Sequence, residues 1–332
     1  MGAQDRWVGR VRVLLRPHIF LPVLLAAALL FFLLSISNLP EVFGRIRGIP
    51  FSAVAACFAA ALWYLTVKGA VFRALLRGLG YSMGWRPFTL AYAIGELAVT
   101  VPSGVYAQNY VLSRLRVAPP GHSSAATTVM ILLETMVVMT VLAILGIPGW
   151  DWLRSLMVLL ILAHLAAIGL VVNSASVRKW LGAVRGRLLG AAAGGLLRMI
   201  EGVRQLGRPG TMAVSTLLTL AYLLGLGVGM LIIGHAAGLS GLTLPESLSI
   251  YFVALWVTLL VGSILTQLGV IEAVALGAAQ AYGYGIDEAL AVILGFRVTW
   301  IGSVWLLCAP LALYLRGELR KSGNNHLQET AD

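Results

Sequence analysis

The sequence predicts an all-α polytopic membrane protein, with about six full transmembrane helices and two re-entrant broken-helix hairpins in an inverted repeat. Three observations lead there. Apolar residues make up 59% of the 332-residue chain and charged residues only 11%, with a mean hydropathy of +0.91, whereas soluble globular chains carry about 25% charged residues. Eight apolar segments recur, at about 19–37, 50–67, 88–101, 125–147, 155–172, 211–233, 248–266 and 289–315, with a shorter piece at 269–282. The basic residues are unevenly shared among the connections. Segments 1–18, 68–87, 107–124, 173–210 and 316–332 hold 20 of the 24 Lys and Arg, and segments 38–49, 148–154, 234–247 and 283–288 hold 3.

If the basic group faces the cytoplasm, the positive-inside bias is satisfied throughout and both termini lie inside. That assignment dictates the hairpins. Segments 68–87 and 107–124 are then on one side, so the apolar piece between them enters and leaves by the same face. Leu90–Val101 is also too short to cross, since a spanning helix needs about 20 residues. By the same logic the piece from Leu248 to Tyr282 starts and finishes outside.

In chain order, Arg6, Arg10, Arg12 and Arg16 precede the apolar run Ile19–Leu34. The run is long for a cleaved signal core and no small-x-small site follows, so it reads as an uncleaved first span. The whole chain, 1–332, is expected to form a single integral membrane domain. Its first half is 19–172, with a hairpin at 88–117 that breaks at Pro102-Ser103-Gly104 and returns through Tyr106–Leu115. The following span carries Glu134. Segment 173–210 alternates apolar and basic residues at helical spacing, as in an amphipathic linker on cytoplasmic headgroups; an ordinary basic loop is the alternative. The second half is 211–315, with a hairpin at 248–283 that breaks near Thr266-Gln267, restarts at Gly269 with Glu272, and turns at Tyr282–Gly285. The last span carries Arg297, and a short cytoplasmic tail occupies 316–332. Each half thus opens a short helix at a glycine, Gly104 or Gly269, ahead of a span with an ionisable residue. Inverted repeats with broken helices meeting near the midplane are a recurrent transporter plan.

Ionisable groups inside apolar segments are costly, so each needs a partner, a wet cavity or a function. The candidates are Glu96, Glu134, Glu272 and Arg297. A guanidinium does not shed its charge, so Arg297 is paired with Glu272, and Glu134 and Glu96 are expected to join the same polar pocket. Gln108 and Asn109, on the return arm of the first hairpin, are candidates to line a headgroup passage; the alternative is that they satisfy the hairpin's own polar groups. Helix glue is the competing reading for the ion pair. His164 reads as hydrogen-bonded packing, Cys57 and Cys308 as small packing residues, and Trp7, Trp63, Trp150 and Trp152 as interfacial anchors. The sequence has no metal-ligand cluster, nucleophile elbow or phosphate loop. No metal, cofactor or catalytic residue is expected, and no nucleic-acid partner, because the basic residues separate apolar runs.

The stretch TQLGVIEAVALGAAQAYGYGIDEALAVILGFRV resembles the lysylphosphatidylglycerol synthase transmembrane-region family through Gly269, Glu272, Gly285, Ala289 and Arg297. Pro102, Gly104 and Glu134 resemble the family's earlier motif. Thr266, Gln267 and Leu268 stand where the family usually has a proline and paired glycines. The resemblance implies the lipid-flipping membrane half of bacterial lysylphosphatidylglycerol synthases or a stand-alone relative, some of which are implicated in hopanoid transport. Only a short polar tail follows Leu315, so the soluble synthase domain is expected to be absent.

The expected function is therefore movement of a polar-headed or isoprenoid lipid between leaflets of the bacterial inner membrane. The partners implied are an anionic or aminoacylated phospholipid, or an isoprenoid or hopanoid lipid. The alternative is a non-catalytic membrane partner of a separate lipid-modifying or glycan-assembly enzyme. An integral-membrane transferase using Glu272 or Glu96 as base is a third class, for which no donor site is recognisable.

Overall fold

A computed structural model describes residues 28, 31, 35–99, 104–184, 187–261 and 267–317. Among them are twelve α-helices and no strand. Five are long and apolar enough to cross a membrane: α2 (Phe51–Gly78), α5 (Pro120–Leu145), α6 (Asp151–Asn173), α9 (Pro209–Ala236) and α12 (Ile286–Leu315). The expected first span at 19–37 falls mostly outside the described residues. Local chemistry sets the ends. Pro120 and Pro209 sit in the first turns of α5 and α9, where a missing N–H costs nothing. Gly146 closes α5 at φ +70°, a left-handed conformation that favours glycine.

The shorter helices place the hairpins. Helix α3 (Trp85–Ala98) runs inward, and a 3-10 turn at Gly104–Tyr106 leads into α4 (Ala107–Arg114), which packs back along it. The two arms nearly touch. A Cβ on Gly104 would overlap the Ala98 carbonyl, and one on Gly95 would meet the Gln108 side chain at 2.9 Å. Gly104→Ala must push backbone apart here, so it is expected to destabilise the fold by about 1–3 kcal/mol, read as a lowered unfolding temperature in detergent.

From the opposite end of the bundle, α10 (Leu244–Val261) runs inward and α11 (Gln267–Ala281) packs back along it. Residues 262–266, like Pro102, lie outside the described residues. Helix α11 begins at Gln267, two residues before the expected restart, with Gly269 held at φ +87°. Gly285 is the extended residue that caps α12.

The helix neighbours repeat across the two halves. Helix α3 packs on α12, and α10 packs on α5 in return; α2 and α9 pack on each other. Two amphipathic helices extend the correspondence: α1 (Leu39–Arg47) lies against α12, and α8 (Arg187–Leu206) lies against α5. Each half therefore reads amphipathic helix, span, hairpin, span, with the hairpins inserted from opposite ends.

The basic end of the bundle is closed by α8. Its Ile200 and Leu206 are buried, its Gly202 faces Ala125 of α5, and Gln205 Nε2 donates to the Gly78 carbonyl at 3.3 Å. Segment 173–210 is thus helical in α7 (Ala175–Ala183) and α8, and α8 is docked on the bundle. At the other end, Arg45 of α1 pairs with Glu41 at 3.1 Å and with Glu288 of α12 at 3.0 Å, while the Asn38 amide donates to Asp287.

Two residues differ from their sequence reading. The charge pattern puts Lys68 in the inside connection 68–87, but α2 continues to Gly78 and buries it. The sequence suggests an interfacial anchor at Trp63, yet the residue sits in mid-helix and donates Nε1–H to the Ala221 carbonyl of α9 at 3.0 Å.

Candidate functional site

Two buried ionic clusters lie where the hairpins meet the spans. In the second half, Arg297 Nη1 of α12 is 2.9 Å from Glu272 Oε1 of α11. The other carboxylate oxygen of Glu272 accepts the Gly269 amide at 2.6 Å. One carboxylate therefore binds the guanidinium and the first turn of the inserted helix, where it also complements the helix dipole. Both side chains are almost fully buried.

The first-half cluster is built around Lys68, which composition and hydropathy did not single out. Its Nζ lies 3.2 Å from Glu96 Oε1 of α3 and 3.5 Å from Glu134 Oε1 of α5, and it donates to Tyr64 Oη at 2.8 Å. Tyr222 of α9 donates its hydroxyl to Glu134 Oε1 at 2.7 Å. Three groups from α2, α3 and α5 thus surround one ammonium, matching its three N–H donors, and α9 joins the cluster through Tyr222 on Glu134. The Tyr64 ring sits edge-on to Tyr222 and to Trp300, each with centroids 5.4 Å apart, and this aromatic wall fixes the side of α2 from which Lys68 projects.

A cavity of about 360 Å³ joins the clusters. Lys68, Glu96, Glu134 and Arg297 all line it, and its remaining wall includes Tyr106, Tyr251, Thr258 and Trp300. Glu272 lies behind Arg297 and reaches the cavity only through that pair. Of the residues expected in one pocket, Glu96, Glu134 and Arg297 share the cavity and Glu272 stands behind Arg297, while Lys68 is a member that the sequence reading does not include. Burying Lys68 requires this neighbourhood: an isolated buried ammonium carries a desolvation cost of several kcal/mol, which the two carboxylates and the phenol oxygen offset.

Gln108 and Asn109 are placed differently. Both are buried, and both bond to Thr127 of α5. Gln108 Nε2 donates to the Thr127 hydroxyl at 3.0 Å, which in turn donates to Asn109 Oδ1 at 3.0 Å. Asn109 Nδ2 reaches Ser124 at 3.4 Å. These bonds fasten the return arm to the next span and satisfy polar groups that hydrocarbon could not. Neither residue lines the cavity. His164 bonds to the Leu160 carbonyl one turn back. Cys57 and Cys308 are buried free thiols, and the described residues hold no cluster of metal ligands.

Hairpins inserted from opposite ends around a buried ionic cavity define a multi-pass α-helical membrane protein with a polar site inside the bundle. The chain belongs to the family described as the lysylphosphatidylglycerol synthase TM region, whose model matches residues 19–308. That family is a membrane domain linked to lipid-flippase function and to membrane phospholipids. No curated protein matches the chain.

Proposed function

We propose that the protein moves a polar-headed lipid between the leaflets of a bacterial inner membrane, with both termini in the cytoplasm. The observation that carries this reading is the cavity shared by Lys68, Glu96, Glu134 and Arg297 at the junction of the two hairpins. A headgroup crossing hydrocarbon must exchange its hydration for other polar partners, and charged groups already desolvated and held in place supply them. Acids and bases occur on both sides of the cavity, so a headgroup with phosphate, hydroxyl or amine functions finds complementary partners. The acyl chains remain in the bilayer. Anionic or aminoacylated phospholipids and isoprenoid or hopanoid lipids all fit that description. Arg297, Lys68, Glu96 and Glu134 contact the headgroup, Glu272 holds Arg297 in place from behind, and Gln108 and Asn109 hold the first hairpin to its span.

The inserted helices also supply the means of exchange. Each hairpin packs on a span of the opposite half, so a relative tilt of the halves opens the cavity toward one face and closes it toward the other. Reconstitution into liposomes bearing fluorescent phospholipids in both leaflets, with an impermeant quencher outside, tests the proposal. The expected result is quenching of inner-leaflet label at a rate well above that of protein-free liposomes. Quenching at the protein-free rate with every candidate lipid class would move the assignment to a non-catalytic partner of a lipid-modifying enzyme.

A further inference from the structure

A second, larger cavity of about 760 Å³ lies away from the ionic site, between α5, α6, α8 and α9. We propose that it is a binding site for one acidic glycerophospholipid, with the acyl chains in the cavity and the phosphate against Arg204. The floor is formed by α5 from Val129 to Ile144, a length of about 22 Å at helical rise and more than half of the roughly 30 Å hydrocarbon thickness. That is deep enough for the chains of one leaflet.

The lining chemistry excludes most other occupants. Apolar side chains dominate; Asn173 at the end of α6 is exposed, and the two threonine hydroxyls are already bonded within their own helices, Thr140 to the Met136 carbonyl and Thr216 to the Met212 carbonyl. Such a surface offers dispersion contacts and little else, as a hydrocarbon chain requires. Helix α6 leaves the flank open, because almost none of its apolar stretch is buried. Arg204 is the one charged lining residue, and it stands on α8 at the basic end of the bundle. Among the described residues no hydrogen bond or ion pair engages its guanidinium, and the exposed Arg208 follows one turn later, at the cap of α9. A deep apolar trough with a cationic lip at headgroup level complements a phosphodiester on two acyl chains. A zwitterionic lipid fits the trough equally but brings a cation to the same lip. The occupant bridges α8 to the spans, so it links the docked basic helix to the bundle independently of the ionic cavity.

The test uses the full chain in nanodiscs of equal phosphatidylglycerol and phosphatidylcholine with matched chains, followed by mass spectrometry of lipids retained after purification in detergent. The wild type is expected to retain phosphatidylglycerol over phosphatidylcholine by about fivefold. Arg204→Gln is expected to reduce that preference to near parity while still binding lipid, and Met136→Trp, which fills the floor, to lose both lipids. Equal retention of the two lipids by the wild type overturns the proposal, as does full preference in Arg204→Gln, or a lipid-free dimer that covers the cavity with a second copy. Lys68→Met combined with Glu96→Gln and Glu134→Gln, which leaves no unpaired carboxylate in the first cluster, separates this site from the ionic one, since it is expected to keep the phosphatidylglycerol preference whether or not it moves lipid.

Discussion

Arg297→Leu is expected to lower stability by about 3–5 kcal/mol, because it leaves the Glu272 carboxylate buried without its cation. Glu272 is held 2.9 Å from the guanidinium and is 2% exposed, so water does not replace the lost partner. The loss is read as a fall in unfolding temperature of the purified protein in detergent. Replacing both partners, Arg297→Met with Glu272→Met, removes the charge and the cost of burying it together. That double variant is expected to recover most of the stability, since apolar replacement of a buried pair is often neutral or better. Its lipid movement is expected to stay at background. A stable double variant that moves lipid at the wild-type rate would mean that the pair serves only to hold α11 against α12.

Lys68→Met is expected to have an effect of comparable size and to be more damaging to function. The substitution removes the one cation between Glu96 and Glu134, whose oxygens stand 3.2 and 3.5 Å from it. Two carboxylates then face one cavity with no cation between them, at a cost of about 3–5 kcal/mol. Adding Glu96→Gln and Glu134→Gln to Lys68→Met is expected to restore stability, because amides are neutral and keep hydrogen-bonding capacity for Tyr222. Transport is expected to remain absent in the triple variant. Unfolding temperature and liposome quenching, measured on the same preparations, separate the two consequences.

The layout of the chain was legible because a bilayer imposes a coarse code. Length and hydropathy mark the spans, and Lys and Arg mark their ends, so the short apolar pieces at 88–101 and 269–282 stand out as insertions. The described hairpins, α3 with α4 and α10 with α11, occupy those stretches. The partners of the buried charges were less legible. Arg297 and Glu272 lie on consecutive helices of one half, and their pairing follows from proximity in the chain. Glu96 and Glu134 meet a lysine from a third helix, and no window average reveals that.

A signal for Lys68 was nonetheless present in the sequence. Cys57, Ala61, Leu65, Lys68, Phe72 and Leu75 recur at intervals of three or four residues, and all are buried along one stripe of α2. Hydropathy ended the span at 67 because a lysine depresses any average, whereas the periodicity runs through it. Trp63 was misplaced for the same reason: shortening the span brought mid-helix residues close to its supposed end. Gln108 and Asn109 are expected along a headgroup passage or as groups satisfying the hairpin, and they bond Thr127 instead of lining the cavity; Thr127 belongs to a span whose threonines resemble any others. Only the packing of α4 on α5 distinguishes it.

Controlled blockage of the cavity tests the transport reading most directly. Thr258 lines the cavity and donates only to the Ala254 carbonyl of its own helix, so Thr258→Cys in a Cys57→Ser, Cys308→Ser background places one reactive thiol there. Modification with a bulky methanethiosulfonate, which forms a mixed disulfide with the thiol and releases sulfinate, is predicted to reduce movement of fluorescent lipid to the protein-free rate, and reduction of that disulfide to restore it. Unchanged movement after complete modification would contradict a headgroup path through this cavity.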